Sequence, residues 1–393
     1  MRRTLIAGPD GADFVTNDIF RASKAPEVVR AAQEVAAQSG VGSGASRLLG
    51  GDAEVVRQAE TQAAEWLNAP ATLLFPSGFQ ANLGLLSTLA RPGDTILSDE
   101  LNHASLIDGA RLSGARISVY RHLDLADLEA RLRGSAGSRR RIVVTESLFS
   151  MDGDLAPLQR IAELCRQHQA SLVVDEAHAI GLLGPRGAGA WASLHAGPEL
   201  DEVLAARIIT GGKSLGVAGA FVVGSRALCD TLINRARSFV FTTGIALPLA
   251  GALTASIQWV AGLKREREHI LSGAQFLARA LGLPEPAGAI VPVPCGSEAT
   301  ALAAAEALRS KNISVHAVRP PTVPPGTSRL RLVVHADHTA DQLETIVDTL
   351  RAFQPEAPER PPAAAGRAWV VIGTDTDVGK TVVSSLILHG LSS

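Results

Sequence analysis

Three side chains on two apolar segments of this chain have the types and spacing that amine chemistry requires. Lys213 lies in a glycine-rich turn that ends the β-branched run Ile208-Ile209-Thr210. Glycines let a ligand approach the backbone closely, and a lysine enclosed in such a turn loses solvation, so its pKa falls and its amine becomes neutral. A neutral amine is what Schiff-base formation with a carbonyl compound needs. On its own, this pattern is at least as typical of a solvent-exposed lysine in a loop.

The upstream segment Leu172-Val173-Val174-Asp175-Glu176-Ala177-His178 supplies an acid and a histidine. Its pattern predicts a buried strand that ends at Asp175, with His178 three residues further on. An acid, a histidine and a lysine at strand ends fit pyridoxal 5'-phosphate (PLP), because the acid can bind the pyridinium nitrogen and the lysine can bind the aldehyde. Together, the two segments predict a PLP site around Lys213.

The composition of the 393-residue chain is that of a large globular protein, with 46% hydrophobic and 19% charged residues. Its formal net charge of −2 gives no general attraction to nucleic acid or to an anionic membrane. Cys165, Cys229 and Cys295 are far apart, which indicates free thiols in a reducing compartment. No apolar run is long enough for a signal peptide or a membrane span, so we expect a cytoplasmic protein.

Strand-like and helical segments alternate through the first half of the chain. We predict strands at 71–75, 94–98, 116–120, 141–146 and 171–175, helices at 104–112, 125–133 and 158–169, and a further helical stretch at 249–281. Such alternation predicts a mostly parallel sheet with helices on both faces, which binds ligands at the carboxyl ends of its strands. Five candidate side chains lie at or just beyond such ends: Ser77, His103, Glu146, Asp175 and Lys213.

The same patterns predict a division of the chain into five parts. These are an N-terminal arm and helix at 1–39, a large PLP-binding domain at 40–262, a smaller α+β domain at 263–353, a linker rich in proline and alanine at 354–367, and a phosphate-loop fragment at 368–393. The linker prediction depends on its composition, which favours an extended spacer.

Several motifs, taken in order, resemble those of the α-oxoamine synthases, a family of fold-type I PLP enzymes. The motifs are Gly42-Ser43-Gly44-Ala45-Ser46-Arg47, Pro76-Ser77-Gly78-Phe79, His103-Ala104-Ser105, the run from Thr145 to Asp154, Asp175-Glu176-Ala177-His178, Thr210 to Lys213, and Arg319 to Pro324 followed by Arg331. The similarity extends from Asn17 to Phe353 and implies an α/β fold with a mostly parallel central sheet, helices on both faces and a smaller α+β C-terminal domain.

The resemblance implies roles for individual residues around the cofactor ring. Lys213 would hold PLP and later move the α-proton of the substrate. Asp175 would bond the pyridine nitrogen and keep it protonated. His178 and Ser150 would contact the side of the ring that carries the phenolic oxygen, and His103 would stack on the ring face and contact the substrate. Lys213, His103, Asp175 and His178 are therefore the predicted catalytic residues.

The resemblance also implies a phosphate site and a homodimer. Gly78 and Phe79 would offer backbone amides to the cofactor phosphate, with Thr210 close by. Thr242 and Thr243 match a segment that, in the family, reaches the phosphate from the partner subunit. We therefore expect a homodimeric enzyme in which each site takes residues from both chains.

On the substrate side, the resemblance implies that Arg331 pairs the amino acid carboxylate, that Thr322 lines the acyl site and that Asn17 lies at the carboxylate end. Within the family, the chain is most similar to the members that condense L-alanine with pimeloyl-CoA or with pimeloyl-[acyl-carrier protein] in biotin synthesis. Glycine C-acetyltransferase activity is the alternative. The run Asn17-Asp18-Ile19-Phe20 departs from the family pattern, and the short arm leaves open which N-terminal arginine, if any, binds substrate.

The final segment, from Ala368 to Ser393, resembles the start of a dethiobiotin synthetase. It has a strand-like run followed by a phosphate loop that ends in Lys380-Thr381, residues suited to phosphate and Mg²⁺. Only twelve residues follow Thr381. We expect the inert head of a truncated fusion, which associates the chain with biotin synthesis.

An alternative from another class is a nucleic-acid-dependent ATPase. Asp175-Glu176-Ala177-His178 also matches a helicase box, and Gly212-Lys213-Ser214 is similar to the end of a phosphate loop. The box precedes both loops, Arg207 replaces the first glycine that such a loop needs, and the chain has no basic excess for a polyanion. These features disfavour the ATPase, whereas a PLP-binding protein without turnover also fits the residues.

Overall fold

The centre of the protein is a seven-stranded sheet. The computed structural model describes residues 8–194 and 198–353. The strands, in chain order, are β1 (Ala12–Asp13), β2 (Ala71–Phe75), β3 (Thr95–Asp99), β4 (Arg116–Tyr120), β5 (Arg141–Glu146), β6 (Ser171–Asp175), β7 (Leu204–Thr210), β8 (Ala220–Gly224), β9 (Ile290–Gly296), β10 (Ile313–Ser314), β11 (His316–Val318) and β12 (Ser328–Val333). The α-helices are α1 (Pro26–Ser39), α2 (Glu54–Trp66), α3 (Gly78–Leu89), α4 (Ala104–Leu112), α5 (Leu125–Gly134), α6 (Leu158–Gln167), α7 (Pro198–Asp201), α8 (Arg226–Arg235), α9 (Arg237–Val240), α10 (Leu247–Gly262), α11 (Lys264–Ala280), α12 (Glu298–Arg309) and α13 (Ala340–Leu350).

The strand order across the central sheet is β2-β8-β7-β6-β5-β3-β4. The pairs β3–β4, β3–β5, β5–β6 and β6–β7 are parallel. Strand β8 runs antiparallel to both of its neighbours, β2 and β7. The sheet is therefore mixed and mostly parallel, as predicted, and the carboxyl ends of β5, β6 and β7 meet at one edge.

Both faces of this sheet are covered by apolar side chains. On one face, Val144 of β5 packs in a buried cluster with Leu85 of α3. On the other face, Val143 of the same strand packs in a cluster with Ile161 of α6. Successive side chains of a strand point to opposite faces, so a strand buried on both faces is apolar throughout. This burial explains the continuous apolar runs from which the strands were predicted.

Two predicted helices differ from the structure in their extent. The helix predicted at 158–169 ends earlier, and Gln169 adopts a left-handed backbone conformation with φ of 51°. The helical stretch predicted at 249–281 is two helices, α10 and α11, which are separated at Leu263, where ψ is 59°. Local backbone conformations outside the α-helical region therefore end helices that the apolar pattern alone would continue.

The C-terminal part of the described chain forms the predicted smaller α+β unit. Strands β11, β12 and β9 make an antiparallel sheet in that order; helix α12 packs against all three strands, and α13 packs against α11 and α12. Strand β1 pairs in parallel with β10, which joins the N-terminal segment to this unit. The division at residue 262 stays a prediction, because the chain up to Phe353 forms one compact unit. The predicted linker and phosphate-loop fragment lie outside the described residues.

The described residues also bear on location and thiol chemistry. None of the helices within 8–194 and 198–353 has the length and apolarity needed to cross a membrane. Cys165, Cys229 and Cys295 are free thiols, as predicted, and the first two are buried. The cytoplasmic location stays a prediction.

Candidate active site

The turn between β7 and β8 holds Lys213 next to His178. The Nζ atom of Lys213 lies 2.7 Å from Nε2 of His178. Backbone hydrogen bonds fix the turn, including those from Gly211 N to Gly219 O at 2.8 Å and from Gly216 N to Lys213 O at 2.8 Å. Gly216 has a positive φ of 63° there, and an added Cβ would lie 2.2 Å from a backbone nitrogen, so this position requires glycine.

Burial shifts the pKa values of Lys213 and His178 in the same direction, downwards. Desolvation lowers the pKa of the Lys213 amine, although the Asp175 and Glu146 carboxylates oppose that change. Burial, followed by the charge of Lys213, lowers the pKa of His178 well below its usual value. A neutral lysine amine is a nucleophile and a base, as the sequence predicted from its enclosure by glycines.

Asp175, at the end of β6, presents a buried carboxylate on the same side of the sheet. Its Oδ1 accepts a hydrogen bond from the backbone N–H of Ala177 at 2.9 Å. Its Oδ2 accepts one from Nδ2 of Asn82, in the first turns of α3, at 2.8 Å. Both of these donors are uncharged, so a protonated pyridine nitrogen would supply a balancing positive charge.

His103 caps the N-terminus of α4 and has an exposed imidazole ring. Its Nδ1 lies 2.7 Å from Oγ of Ser105, and its backbone N–H donates to Oε1 of Glu146 at 2.6 Å. Desolvation and the charge of Lys213 lower the pKa of His103. Glu146 is buried, and its burial, reinforced by the charge of Asp175, raises its pKa. Glu146 therefore fixes the backbone from which the His103 ring projects.

The N-terminus of α3 has the shape of an anion site. Ser77 caps this helix, and its hydroxyl accepts from the backbone N–H of Gln80 at 3.3 Å. A Cβ atom added to Gly78 would lie 2.4 Å from the Oγ1 atom of Thr210, so Gly78 and Thr210 meet here without room for another side chain. Free backbone N–H groups at a helix N-terminus bind phosphate, and the Gly78–Phe79 amides lie at this terminus.

Arg331 of β12 is buried, and its guanidinium contacts two other predicted site residues. Its Nε donates to the backbone oxygen of Ser150 at 2.6 Å, and its Nη2 donates to Oδ1 of Asn17 at 3.0 Å. Burial lowers the pKa of the guanidinium to about 10, so Arg331 stays charged at neutral pH. The structure therefore brings together Asn17, Ser150 and Arg331, with Ser150 engaged through its carbonyl.

Three of the predicted site residues lie apart from these contacts. Thr322 is exposed, and its backbone N–H donates to the carbonyl of Arg319 at 3.0 Å. Thr243 is exposed and Thr242 is partly buried. Within the part of the chain that the structure describes, no side-chain hydrogen bond joins any of the three to Lys213. Their predicted roles stay predictions.

Comparison with known proteins identifies the family. The model of the family of class I and II aminotransferases matches residues 12–350. The 8-amino-7-oxononanoate synthase of Anaeromyxobacter dehalogenans (strain 2CP-1 / ATCC BAA-258) is 42% identical over 366 residues, which cover 92% of this chain and 91% of that protein. The chain belongs to the 8-amino-7-oxononanoate synthase family.

Solved structures agree with this assignment. The 8-amino-7-oxononanoate synthase from Francisella tularensis has a TM-score of 0.75 at 27% identity, covering 87% of this chain and 98% of that one. A serine palmitoyltransferase from S. paucimobilis with bound PLP-myriocin has a TM-score of 0.80 at 29% identity, covering 86% of each chain. The predicted family, fold class, acyltransferase activity and PLP cofactor are confirmed. The ATPase alternative is left without support.

The predicted residues fit PLP by two observations on the described chain. Gly78 and Thr210 meet at the N-terminus of α3, where a side chain on residue 78 would clash. Asp175 is a buried carboxylate held by uncharged donors. Sequence reasoning missed Asn82, although an amide flanked by Ala81 and Leu83 in a mostly apolar helix was a signal that it has a buried partner.

Proposed function

We propose that this chain catalyses the decarboxylative condensation of L-alanine with a pimeloyl thioester, giving 8-amino-7-oxononanoate, carbon dioxide and the free thiol carrier. The observation that carries the proposal is the Lys213–His178 contact of 2.7 Å beside the buried carboxylate of Asp175. The relatives that are 42% identical to this chain support the choice of substrates by their names. Whether the carrier is CoA or an acyl-carrier protein is left open.

In this proposal, PLP supplies an electron sink that stabilises negative charge at the α-carbon of the amino acid. Lys213 would hold the aldehyde carbon, Asp175 would pair the ring nitrogen, and His178 would stand beside the phenolic oxygen. Gly78 and Phe79 would bind the phosphate through their amides, with Thr210 as a further donor. Each role uses an atom that lies at the carboxyl edge of the sheet or at the N-terminus of α3.

Lys213 would also move the substrate proton. Desolvation lowers the pKa of its amine and so favours the neutral form, in which Nζ can accept the proton from the α-carbon of alanine and later return a proton to the product. His178, at 2.7 Å, would hold Nζ in place during these transfers. Because burial lowers the pKa of both groups, His178 can orient the amine without placing a positive charge beside it.

Arg331 would position the carboxylate of alanine. A guanidinium carries five N–H donors, and the contacts with Ser150 and Asn17 use one on Nε and one on Nη2. The remaining donors can form the two parallel bonds that a carboxylate accepts. His103, which is exposed beside the site, would donate to the oxygen that becomes negative when the α-carbon attacks the thioester.

We also propose that the working unit is a homodimer. Gly244 N donates to Ala45 O at 2.9 Å, so the segment after Phe241 meets the loop that begins at residue 40. This surface exposes large apolar side chains: Val41 is 77% exposed, Leu49 80% and Phe241 72%. Clustered exposed apolar residues of this kind mark association surfaces, and a second copy would cover them.

A mixing experiment tests the dimer and the roles of Thr242 and Thr243. Lys213→Ala and the double variant Thr242→Ala/Thr243→Ala are each expected to have low activity. If the threonines serve the partner's site, a mixed dimer contains one site with both Lys213 and the threonines intact, and mixing restores activity. Activity that stays low after subunit exchange, while co-purification of differently tagged chains shows mixed dimers, would contradict the shared site. A fully active monomer would contradict the dimer.

The named reaction is tested by comparing substrates. We expect kcat/KM for L-alanine with pimeloyl-CoA to exceed the values for glycine with acetyl-CoA and for L-serine with palmitoyl-CoA. The last pair belongs in the test because a serine palmitoyltransferase structure is similar over 86% of this chain. A higher value for either rival pair would overturn the named reaction and leave the family assignment intact. Expression of this chain should also restore growth without biotin to a strain that lacks this step.

A further inference from the structure

A continuous chain of hydrogen bonds joins Asp175, proposed to pair the pyridine nitrogen, to His103, proposed to stack on the ring face. Asn82 Nδ2 donates to Asp175 Oδ2 at 2.8 Å and to Ser105 Oγ at 2.9 Å. Ser105 Oγ in turn lies 2.7 Å from Nδ1 of His103. Asn82 is 2% exposed and Ser105 is 1% exposed, so water does not compete for these bonds.

The direction of each bond in this chain follows from the donors available. An amide has two N–H donors on one nitrogen, and Asn82 uses one for Asp175 and one for Ser105. The reversed amide would place its oxygen against the Asp175 carboxylate, which repels it, so the orientation of Asn82 is determined.

The bond from Asn82 also determines which way the Ser105 hydroxyl points. Its hydroxyl oxygen accepts from Asn82, so its own hydrogen points to the other neighbour, Nδ1 of His103. The backbone N–H of Ser105 donates to the same Nδ1 at 3.2 Å. A ring nitrogen that accepts two hydrogen bonds carries no proton, and the neutral imidazole therefore carries its proton on Nε2.

We propose that Asn82 is a positioning residue that fixes the Asp175 carboxylate and, through Ser105, keeps the proton of His103 on Nε2. The consequences for catalysis rest on the proposed function: the Asp175 carboxyl group is held where it can pair the pyridine nitrogen, and His103 presents an N–H donor to the developing oxyanion. The proton position itself can be measured without substrate or turnover, so the two proposals can fail separately.

The variant Asn82→Asp keeps the shape of the side chain and reverses the hydrogen bond to Ser105. The new carboxyl and Asp175 would lie within hydrogen-bond distance, and two carboxyl groups so placed share a proton because they cannot both ionise. The oxygen that replaces Nδ2 lies against both Asp175 and Ser105. It carries at most the one proton that it shares with Asp175, so towards Ser105 it can only accept, and the Ser105 hydroxyl turns towards it. His103 Nδ1 then loses its hydroxyl donor, and the Nδ1–H tautomer becomes populated.

The primary measurement is long-range ¹H–¹⁵N NMR of cofactor-free protein labelled at histidine. Comparison with a His103→Gln spectrum assigns the signals of His103. In the wild-type protein we expect an unprotonated Nδ1 and a protonated Nε2. In Asn82→Asp we expect the share of the Nδ1–H form to rise measurably, although the backbone N–H of Ser105 still faces Nδ1. A wild-type protein that carries its proton on Nδ1 would overturn the proposal.

A matched control distinguishes a change in hydrogen-bond direction from a general loss of structure. Asn102 is also a buried amide, 5% exposed, and its Nδ2 donates to Ser98 Oγ and to Val144 O, outside this chain of bonds. Asn102→Asp should lower the melting temperature at least as much as Asn82→Asp and leave the His103 tautomer unchanged. Equal tautomer changes in both variants would show a general loss of structure and contradict the proposal.

A second variant keeps the proposal testable if Asn82→Asp does not fold. Ser105→Ala removes the link to His103 but leaves the bond between Asn82 and Asp175. It should shift the tautomer while PLP affinity, measured by equilibrium dialysis, stays near the wild-type value. Asn82→Asp should weaken PLP binding by about tenfold, as expected for one lost charge-assisted hydrogen bond. Unchanged PLP affinity in folded Asn82→Asp would remove Asn82 from the cofactor site.

Discussion

The two sides of the candidate site are held in place by different kinds of structure. On the cofactor side, Asp175 ends β6 and Lys213 follows β7, two strands that pair with each other in parallel. On the substrate side, Arg331 meets Asn17 and the carbonyl of Ser150 through contacts between positions 314 and 181 residues apart. The cofactor side is therefore set by the sheet, and the substrate side by the packing of distant segments.

The position of Asn17 depends on residues that do not themselves belong to the candidate site. The segment that carries it is bound by two histidines of the loop after β12. Nε2 of His335 lies 2.8 Å from the carbonyl oxygen of Thr16, and Nε2 of His338 lies 3.0 Å from the carbonyl oxygen of Asp13. A change in these histidines is expected to reach the substrate through Asn17 and Arg331, without any contact with the cofactor.

The largest effect is expected on the cofactor side, from Lys213→Ala. Without the amine, PLP is not held covalently and no base remains for the α-proton, so turnover should fall by a factor on the order of 10³ or more. The visible absorbance of the bound cofactor should be lost as well. Lys264→Ala is the control, because this lysine is exposed on α11 and its ion pair with Glu268 is long, at 3.8 Å. PLP found by mass spectrometry on another lysine after borohydride reduction would refute the assignment.

Asp175→Asn should separate cofactor binding from cofactor chemistry. The amide keeps the shape of the side chain but removes the negative charge that holds the pyridine nitrogen protonated, so the electron sink weakens. We expect PLP to bind, and exchange of the alanine α-proton with deuterium, followed by NMR, to slow by a factor on the order of 10². Exchange at nearly the wild-type rate would show that Asp175 does not serve the ring nitrogen.

The same contrast explains which residues could be predicted from the sequence. Asp175 and Lys213 follow apolar runs that encode their own strands, so local pattern was sufficient to place both at one edge. Asn82 lies 93 positions from Asp175 and contacts it only because α3 packs against the sheet, which no local pattern encodes. Glu146 was predicted at the edge, but its hydrogen bond to the His103 backbone depends on the parallel pairing of β3 and β5.

On the substrate side, Arg331→Lys should raise KM for alanine more than it lowers kcat. Lysine keeps the positive charge but lacks the planar fork that can hold Ser150, Asn17 and a carboxylate together. We expect an increase of about tenfold to a hundredfold, the range for one or two charge-assisted hydrogen bonds. Arg329→Lys, on the same strand and paired with Asp152, is the matched control. An unchanged KM would remove Arg331 from the alanine site.

The smallest effect should come from acid pH, and it should fall on the substrate side alone. Burial and the neighbouring His335 lower the pKa of His338 to about 4, from a usual value of 6.5. The unfolded chain therefore takes up this proton near pH 6.5 and the folded chain only near pH 4. The contribution of neutral His338 to stability is fully present above pH 6.5 and is lost as the pH falls from 6.5 towards 4, by about 2 kcal/mol between pH 7 and pH 5.

The variant His338→Gln sharpens this prediction, because glutamine cannot titrate but can still donate to the Asp13 carbonyl. Urea unfolding at pH 7 and pH 5 should show a smaller loss of stability in the variant than in the wild-type protein. His168→Gln, a change at a partly buried histidine beside Glu129 and away from this segment, should behave like the wild-type protein. Between pH 7 and pH 5, KM for alanine should rise less in His338→Gln than in the wild-type protein, because the segment that carries Asn17 stays bound. PLP affinity should change equally in the two proteins. Identical pH dependence of stability in the two proteins would contradict the role of His338. A selective loss of PLP affinity would show instead that the two sides of the site are not independent.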